Sequence, residues 1–80
     1  MVTLTHKTMS KQLTSGQLFK QARTNLGMTQ FEVAEKAGIH PNTYAKIERN
    51  EQDALFPTAL AIAEVLGIPT SEITKYYRKT

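Results

Sequence analysis

The side chains able to do chemistry are few in this chain and unevenly placed. Cysteine is absent, which removes disulfides, thiolate nucleophiles and Cys-based zinc sites together. The two histidines, His6 and His40, lie far apart, with no third imidazole to complete a common metal site. The sequence shows no nucleophile–base pair, no carboxylate cluster and no glycine-rich phosphate loop. Thr14-Ser15-Gly16 is too short to be a nucleotide motif and reads as a helix entry. Catalysis is therefore not expected, nor is a cofactor, a metal or a small-molecule ligand. What remains is charge. Ten Lys and Arg stand against seven Asp and Glu, for a net +3. The excess sits in the first half: Lys7, Lys11, Lys20, Arg23, Lys36, Lys46 and Arg49 face only Glu32, Glu35 and Glu48. Residues 51–70 then carry Glu51, Asp53 and Glu64 with no basic residue. That asymmetry is compatible with a polyanionic partner.

The elements that must position these charges can be read from periodicity and caps. The chain has 80 residues, enough for one domain with a small core but not for a multilayer fold with a deep cleft. The apolar-rich run from Ala59 to Leu66 is too short for a membrane span and contains Glu64. The polar N-terminus has no signal-peptide pattern, so a cytoplasmic protein with no membrane partner is the expectation. Residues 1–14 lack helical periodicity and read as a flexible arm carrying His6, Lys7 and Lys11, leaving 15–80 as the folded domain.

Ser15 is the expected cap of a first helix with Leu18, Phe19, Ala22 and Leu26 on one face, ended by Gly27. Thr29 and Glu32 have the spacing of a capping box opening a second, about two-turn helix with Val33, Ala34 and Ala37 inside, closed by Gly38. Pro41 suits the first position of a third helix that turns Tyr44 and Ile47 inward and runs to about Arg49. A fourth helix, from Phe56-Pro57 to Leu66, is apolar around most of its circumference and is expected to be the most buried. Thr70 or Ser71 is expected to cap a fifth helix bearing Ile73, Tyr76 and Tyr77. No segment reads as a strand, so the fold class is all-α.

Between the second and third helices the sequence gives a steric recipe. Ala34 lets two backbones approach, Gly38 permits a sharp turn and Ile39 fills the corner. Such a helix-turn-helix leaves its second helix protruding, with a size that fits the B-DNA major groove, about 12 Å wide.

At this point the chain resembles a known family. From Leu18 to Ile73 it is similar to the Cro/phage-repressor type of helix-turn-helix protein, the XRE-like family. The matching segments are Gly27-Met28-Thr29-Gln30, Val33-Ala34-Glu35-Lys36-Ala37-Gly38-Ile39, Thr43-Tyr44-Ala45-Lys46-Ile47-Glu48-Arg49 and Ala63-Glu64-Val65-Leu66-Gly67-Ile68, in order and with the loop lengths right. The resemblance implies a compact five-helix, lambda-repressor-like domain that binds double-stranded operator DNA, usually as a symmetric homodimer. It implies base reading by Asn42 and Lys46, with Thr43 on the exposed start of the same helix, and phosphate contact by Gln30. Asn can pair with adenine N6 and N7, and Lys can donate to guanine O6 and N7. Thr29, His40, Tyr44 and Arg49 are further phosphate candidates, and His40 also reads as a helix cap. Arg23 and Glu48 fall where the family has an ion pair joining the first and third helices.

The chain departs from the family pattern at several positions. Pro41 replaces a base-reading polar side chain, and Asn50 replaces a glycine after the third helix, a position where Asn best tolerates the left-handed conformation. Glu51-Gln52-Asp53 is acidic where some relatives are basic, and Lys7 and Lys11 of the arm would compensate by reaching the DNA. Phe31 stands where relatives are polar, and nothing in the sequence explains it. Tyr76 and Tyr77 either complete the core or line a dimer seam with Ile73 and Phe56; so short a chain buries two more rings with difficulty, which favours the seam. The resulting expectation is a sequence-specific transcriptional regulator, a repressor among the family's roles, without a ligand domain. The competing readings are the antitoxin of a toxin–antitoxin pair, with a toxin or another regulator as protein partner, and a restriction–modification controller.

Overall fold

The structure, a computed structural model, describes residues 13–77; Lys7 and Lys11 of the expected arm lie outside them. Five helices follow in order: α1 (Ser15–Asn25), α2 (Gln30–Ala37), α3 (Pro41–Glu48), α4 (Phe56–Leu66) and α5 (Thr70–Tyr77). No strand occurs among the described residues, and no helix among them is long and apolar enough to cross a membrane.

Local chemistry explains most boundaries. The α1 cap is Thr14, not Ser15. The Thr14 hydroxyl accepts from the Gln17 N–H at 3.1 Å, and the Gln17 side chain accepts from the Thr14 N–H at 2.9 Å. A capping box needs Gln or Glu three residues after the cap. Thr14 has Gln17 there; Ser15 has Leu18, which cannot answer. Thr14 is the N-cap of α1, and the Leu13 carbonyl accepts from the Tyr76 hydroxyl. The α2 box forms between Thr29 and Glu32, at 3.0 and 2.8 Å. At α3, His40 Nδ1 accepts from the Asn42 N–H at 3.1 Å and Pro41 takes the first helical position. Neither Thr70 nor Ser71 is a cap; both lie inside α5.

The α2–α3 corner needs a left-handed residue, and Gly38 supplies it with φ 77°. The Ile39 N–H then returns to the Ala34 carbonyl at 3.0 Å. The same closure ends α3, where Asn50 has φ 63° and the Glu51 N–H reaches the Lys46 carbonyl at 2.9 Å.

The core is Phe19 of α1, Val33 and Ala34 of α2, Tyr44 and Ile47 of α3, Ala59, Ile62, Ala63 and Leu66 of α4, Ile73 of α5, and Ala54 from the loop. Helix α4 packs on α1, α2 and α5, while α3 is held by α1 and α2, which leaves its other side outward. Contact between α1 and α3 depends on Gly16. A Cβ there would overlap the Ile47 carbonyl oxygen and come within 2.8 Å of the Glu48 carbonyl oxygen. Leu26 does not join the α1 face; it follows the helix and is 54% exposed.

Candidate nucleic-acid interface

Helix α3 is eight residues long, and its two faces have separate duties. Tyr44, Ile47 and Glu48 point into the body. Asn42, Lys46 and Arg49, at helical i, i+4 and i+7 spacing, are exposed on the opposite side, with Thr43 and Ala45 half-buried at its margins. This outward stripe combines an amide with two cations, able to meet both base edges and phosphates.

Beneath the stripe, a polar network fixes α3 against α1 and α2. Arg23 Nε donates to Glu48 Oε2 at 2.7 Å and its second nitrogen to Glu48 Oε1 at 3.2 Å, while its remaining fork donates to the Met28 carbonyl at 2.9 Å. Gln30 Nε2 adds a bond to Glu48 Oε1 at 2.9 Å. Burial works against ionisation of Glu48, but the guanidinium of Arg23 outweighs it, helped by Tyr44 and Gln30, and holds the carboxyl below its usual range. Glu48 is 5% exposed, so its charge is stabilised by these partners rather than by water.

Tyr44 lies beside this network and not on the outward face of α3; its hydroxyl is buried without a hydrogen-bond partner. From sequence its hydroxyl is a phosphate candidate, but the whole residue is 0% exposed and its hydroxyl is buried beside Arg23 and Glu48. Burial raises its pKa well above that of an ordinary phenol. A phosphate cannot reach it. Gln30, also expected at a phosphate, spends one amide hydrogen on Glu48 and stays half-buried at the start of α2. Thr29 is exposed, and its hydroxyl oxygen is occupied by the cap while its hydrogen is still available. His40 is exposed with Nδ1 accepting, which places the neutral ring's proton on the outward Nε2.

Arg49 is not free in this structure. Its Nε and terminal nitrogen donate to the two carboxylate oxygens of Glu51 at 2.9 and 3.0 Å. Neither this pair nor the Gln30–Glu48 bond is among the expectations from sequence. A signal for the first was present, because a left-handed Asn50 folds the next residue back onto the last turn of α3.

The expected seam divides. Ile73 is 0% exposed within the single chain and cannot line a seam. The ring of Tyr77 packs on Phe56 with centroids 5.2 Å apart, and its hydroxyl donates to the Ala54 carbonyl. Tyr76 is tied to Leu13 at 3.0 Å. Leu55, at 75%, and Phe56, at 38%, stay open beside this cluster.

Comparison with known proteins agrees with this architecture. The profile of a family described as helix-turn-helix matches residues 19–73. The immunity repressor protein of Bacillus phage phi105 is 38% identical over 61 residues, covering 76% of this chain and 42% of the repressor. The chain therefore spans less than half the length of that relative. No solved structure matches. With the profile covering all but the outermost parts of the helical body, the chain belongs to the Cro/phage-repressor type of helix-turn-helix family of DNA-binding transcriptional regulators.

Proposed function

We propose that this chain regulates transcription by binding duplex DNA sequence-specifically, with α3 in the major groove. The observation that carries the reading is the outward stripe of Asn42, Lys46 and Arg49 on a helix whose opposite face is locked to α1 and α2. A base-reading helix must be exposed and rigid at once, and α3 is both. Similarity to a protein named as an immunity repressor supports repression as the direction of control.

Asn42 is the adenine reader and Lys46 the guanine reader, each contact discriminating by roughly 1–3 kcal/mol. Thr43 lines the edge of the same face. Backbone anchoring falls to the start of α2, where unpaired N–H groups join the Thr29 hydroxyl and the second amide hydrogen of Gln30, and to Nε2 of His40. Two copies, placed so that their α3 helices lie about 34 Å apart, would read a near-palindromic operator. Leu55 and Phe56, the open apolar pair beside Tyr77, are the surface for that contact.

Selection of bound sites from random duplex DNA tests the reading. The wild type should enrich one near-palindromic pattern, and Asn42→Ala and Lys46→Ala should each relax preference at one or two positions. Uniform weakening would move those residues to phosphate contact, and a wild type that enriches nothing would refute the proposal.

A further inference from the structure

The loop after α3 holds a carboxylate where a DNA-facing surface has least use for one. Asn50 turns left-handed, the Glu51 N–H bonds the Lys46 carbonyl at 2.9 Å, and the Glu51 side chain thereby emerges beside the last turn of α3. There it grips the Arg49 fork through both oxygens, at 2.9 and 3.0 Å, and lies close enough to Lys46 to feel its charge. Lys46 in the last turn of α3 and Arg49 at its C-cap are the two cations at this end of the helix, so one acid faces both.

Such a pair contributes little to stability. The two side chains are 53% and 54% exposed, in the regime where water and salt screen the attraction. Its consequence lies at the surface. A guanidinium fork engages one anionic partner bidentately at a time, and a DNA phosphate presents the same acceptor geometry as the Glu51 carboxylate. To contact a phosphate, Arg49 must release Glu51, and the bare carboxylate is then left facing a polyanion. Arbitrary duplex offers only backbone contact to offset that loss. A cognate site adds the base contacts of Asn42 and Lys46.

We propose that Glu51 is a specificity-determining residue, which withholds Arg49 from the phosphate backbone and so depresses binding to non-cognate DNA more than binding to the operator. The proposal rests on the reading of α3 as the DNA-facing helix.

The experiment compares a site selected by the wild type with a duplex of arbitrary sequence, at about 0.05 and 0.2 M salt. The proteins are the wild type, Glu51→Gln, Arg49→Gln, the double variant, and Glu64→Gln, which removes one exposed negative charge from α4. One extra phosphate contact steepens the log–log salt slope by about 0.9, or about 3.5-fold in affinity over that fourfold salt range. Glu51→Gln should gain this on arbitrary duplex, with a smaller gain on the selected site, so that the specificity ratio falls. The gain should vanish in the Arg49→Gln background and be absent from Glu64→Gln. An equal gain in either control would reduce Glu51 to a general charge effect and overturn the proposal, as would no change or weaker binding in Glu51→Gln. Wild-type protein that binds the selected site beside an indifferent Glu51→Gln refutes the role of Glu51 alone. Wild-type protein that binds no duplex refutes the DNA-facing reading of α3 and the role of Glu51 with it.

Discussion

Single residues decide how firmly α3 is held. Glu48 takes bonds from α1 through Arg23 and from α2 through Gln30, so three helices meet at one carboxylate. Breaking a buried pair by removing one partner leaves an uncompensated charge and costs about 3–5 kcal/mol. Arg23→Ala should lose stability of that order in urea unfolding, and a loss below 1 kcal/mol would show that water replaces the guanidinium. The sign of the pH dependence follows from the direction of the Glu48 shift. The folded-state carboxyl is held below the ordinary value of 4.5, so its contribution is present above that pH and disappears as pH falls through the folded value. Thermal melts from pH 7 down to pH 3 should therefore show a steeper loss for the wild type than for Glu48→Gln. Parallel curves would remove Glu48 as a source of acid sensitivity.

At the scale of elements, short helices survive only because their ends are satisfied and their faces are pressed together. Two turn residues in left-handed backbone flank α3, Gly38 before it and Asn50 after it. Asn50→Gly should be neutral or slightly stabilising, whereas Asn50→Ala should cost about 1 kcal/mol, since a β-carbon without a compensating polar group is disfavoured there. Chemical denaturation of the two variants distinguishes them, and equal stabilities would mean that the turn relaxes. Gly16 controls a different feature, the distance between α1 and α3. Gly16→Ala would drive a methyl into the backbone of Ile47 and Glu48, which cannot rotate away as a side chain would. A destabilisation of about 2–3 kcal/mol is expected from such overpacking. Much of this level was legible beforehand. The Thr29–Glu32 box, Pro41, Gly38 and Asn50 act over three or four residues, so their spacing in the chain is nearly their geometry. Ser15 is not the cap, although Thr14 and Ser15 are equally good caps in isolation; only the third residue onward, Gln17 against Leu18, separates them.

For the whole molecule the question is how one small body addresses a long duplex. Its net charge of +3 is modest, and the acidic stretch from Glu51 to Glu64 follows α3, the helix proposed to face DNA, in the chain. Under the proposed reading, affinity from one copy is limited, and the proposed pairing of two copies would multiply it through effective concentration. Leu55→Ser should abolish cooperative binding to a near-palindromic site while leaving half-site binding within about twofold. Gel shifts on full and half sites read both, and preserved cooperativity would exclude Leu55 from the contact. Phe31, 59% exposed on the first turn of α2, is explained by nothing in the fold.

What sequence alone determined was the order of five helices, the helix-turn-helix corner and the outward position of Asn42 and Lys46. These follow from periodicity and caps, which are local. Tertiary structure decided the partners: that the Tyr44 hydroxyl is buried with Arg23 and Glu48, that Gln30 turns inward to the same carboxylate, that Ile73 fills the core, and that Glu51 holds Arg49. Each of these depends on which side chains from distant or folded-back segments compete for the same few ångströms, and helical spacing carries no record of that competition.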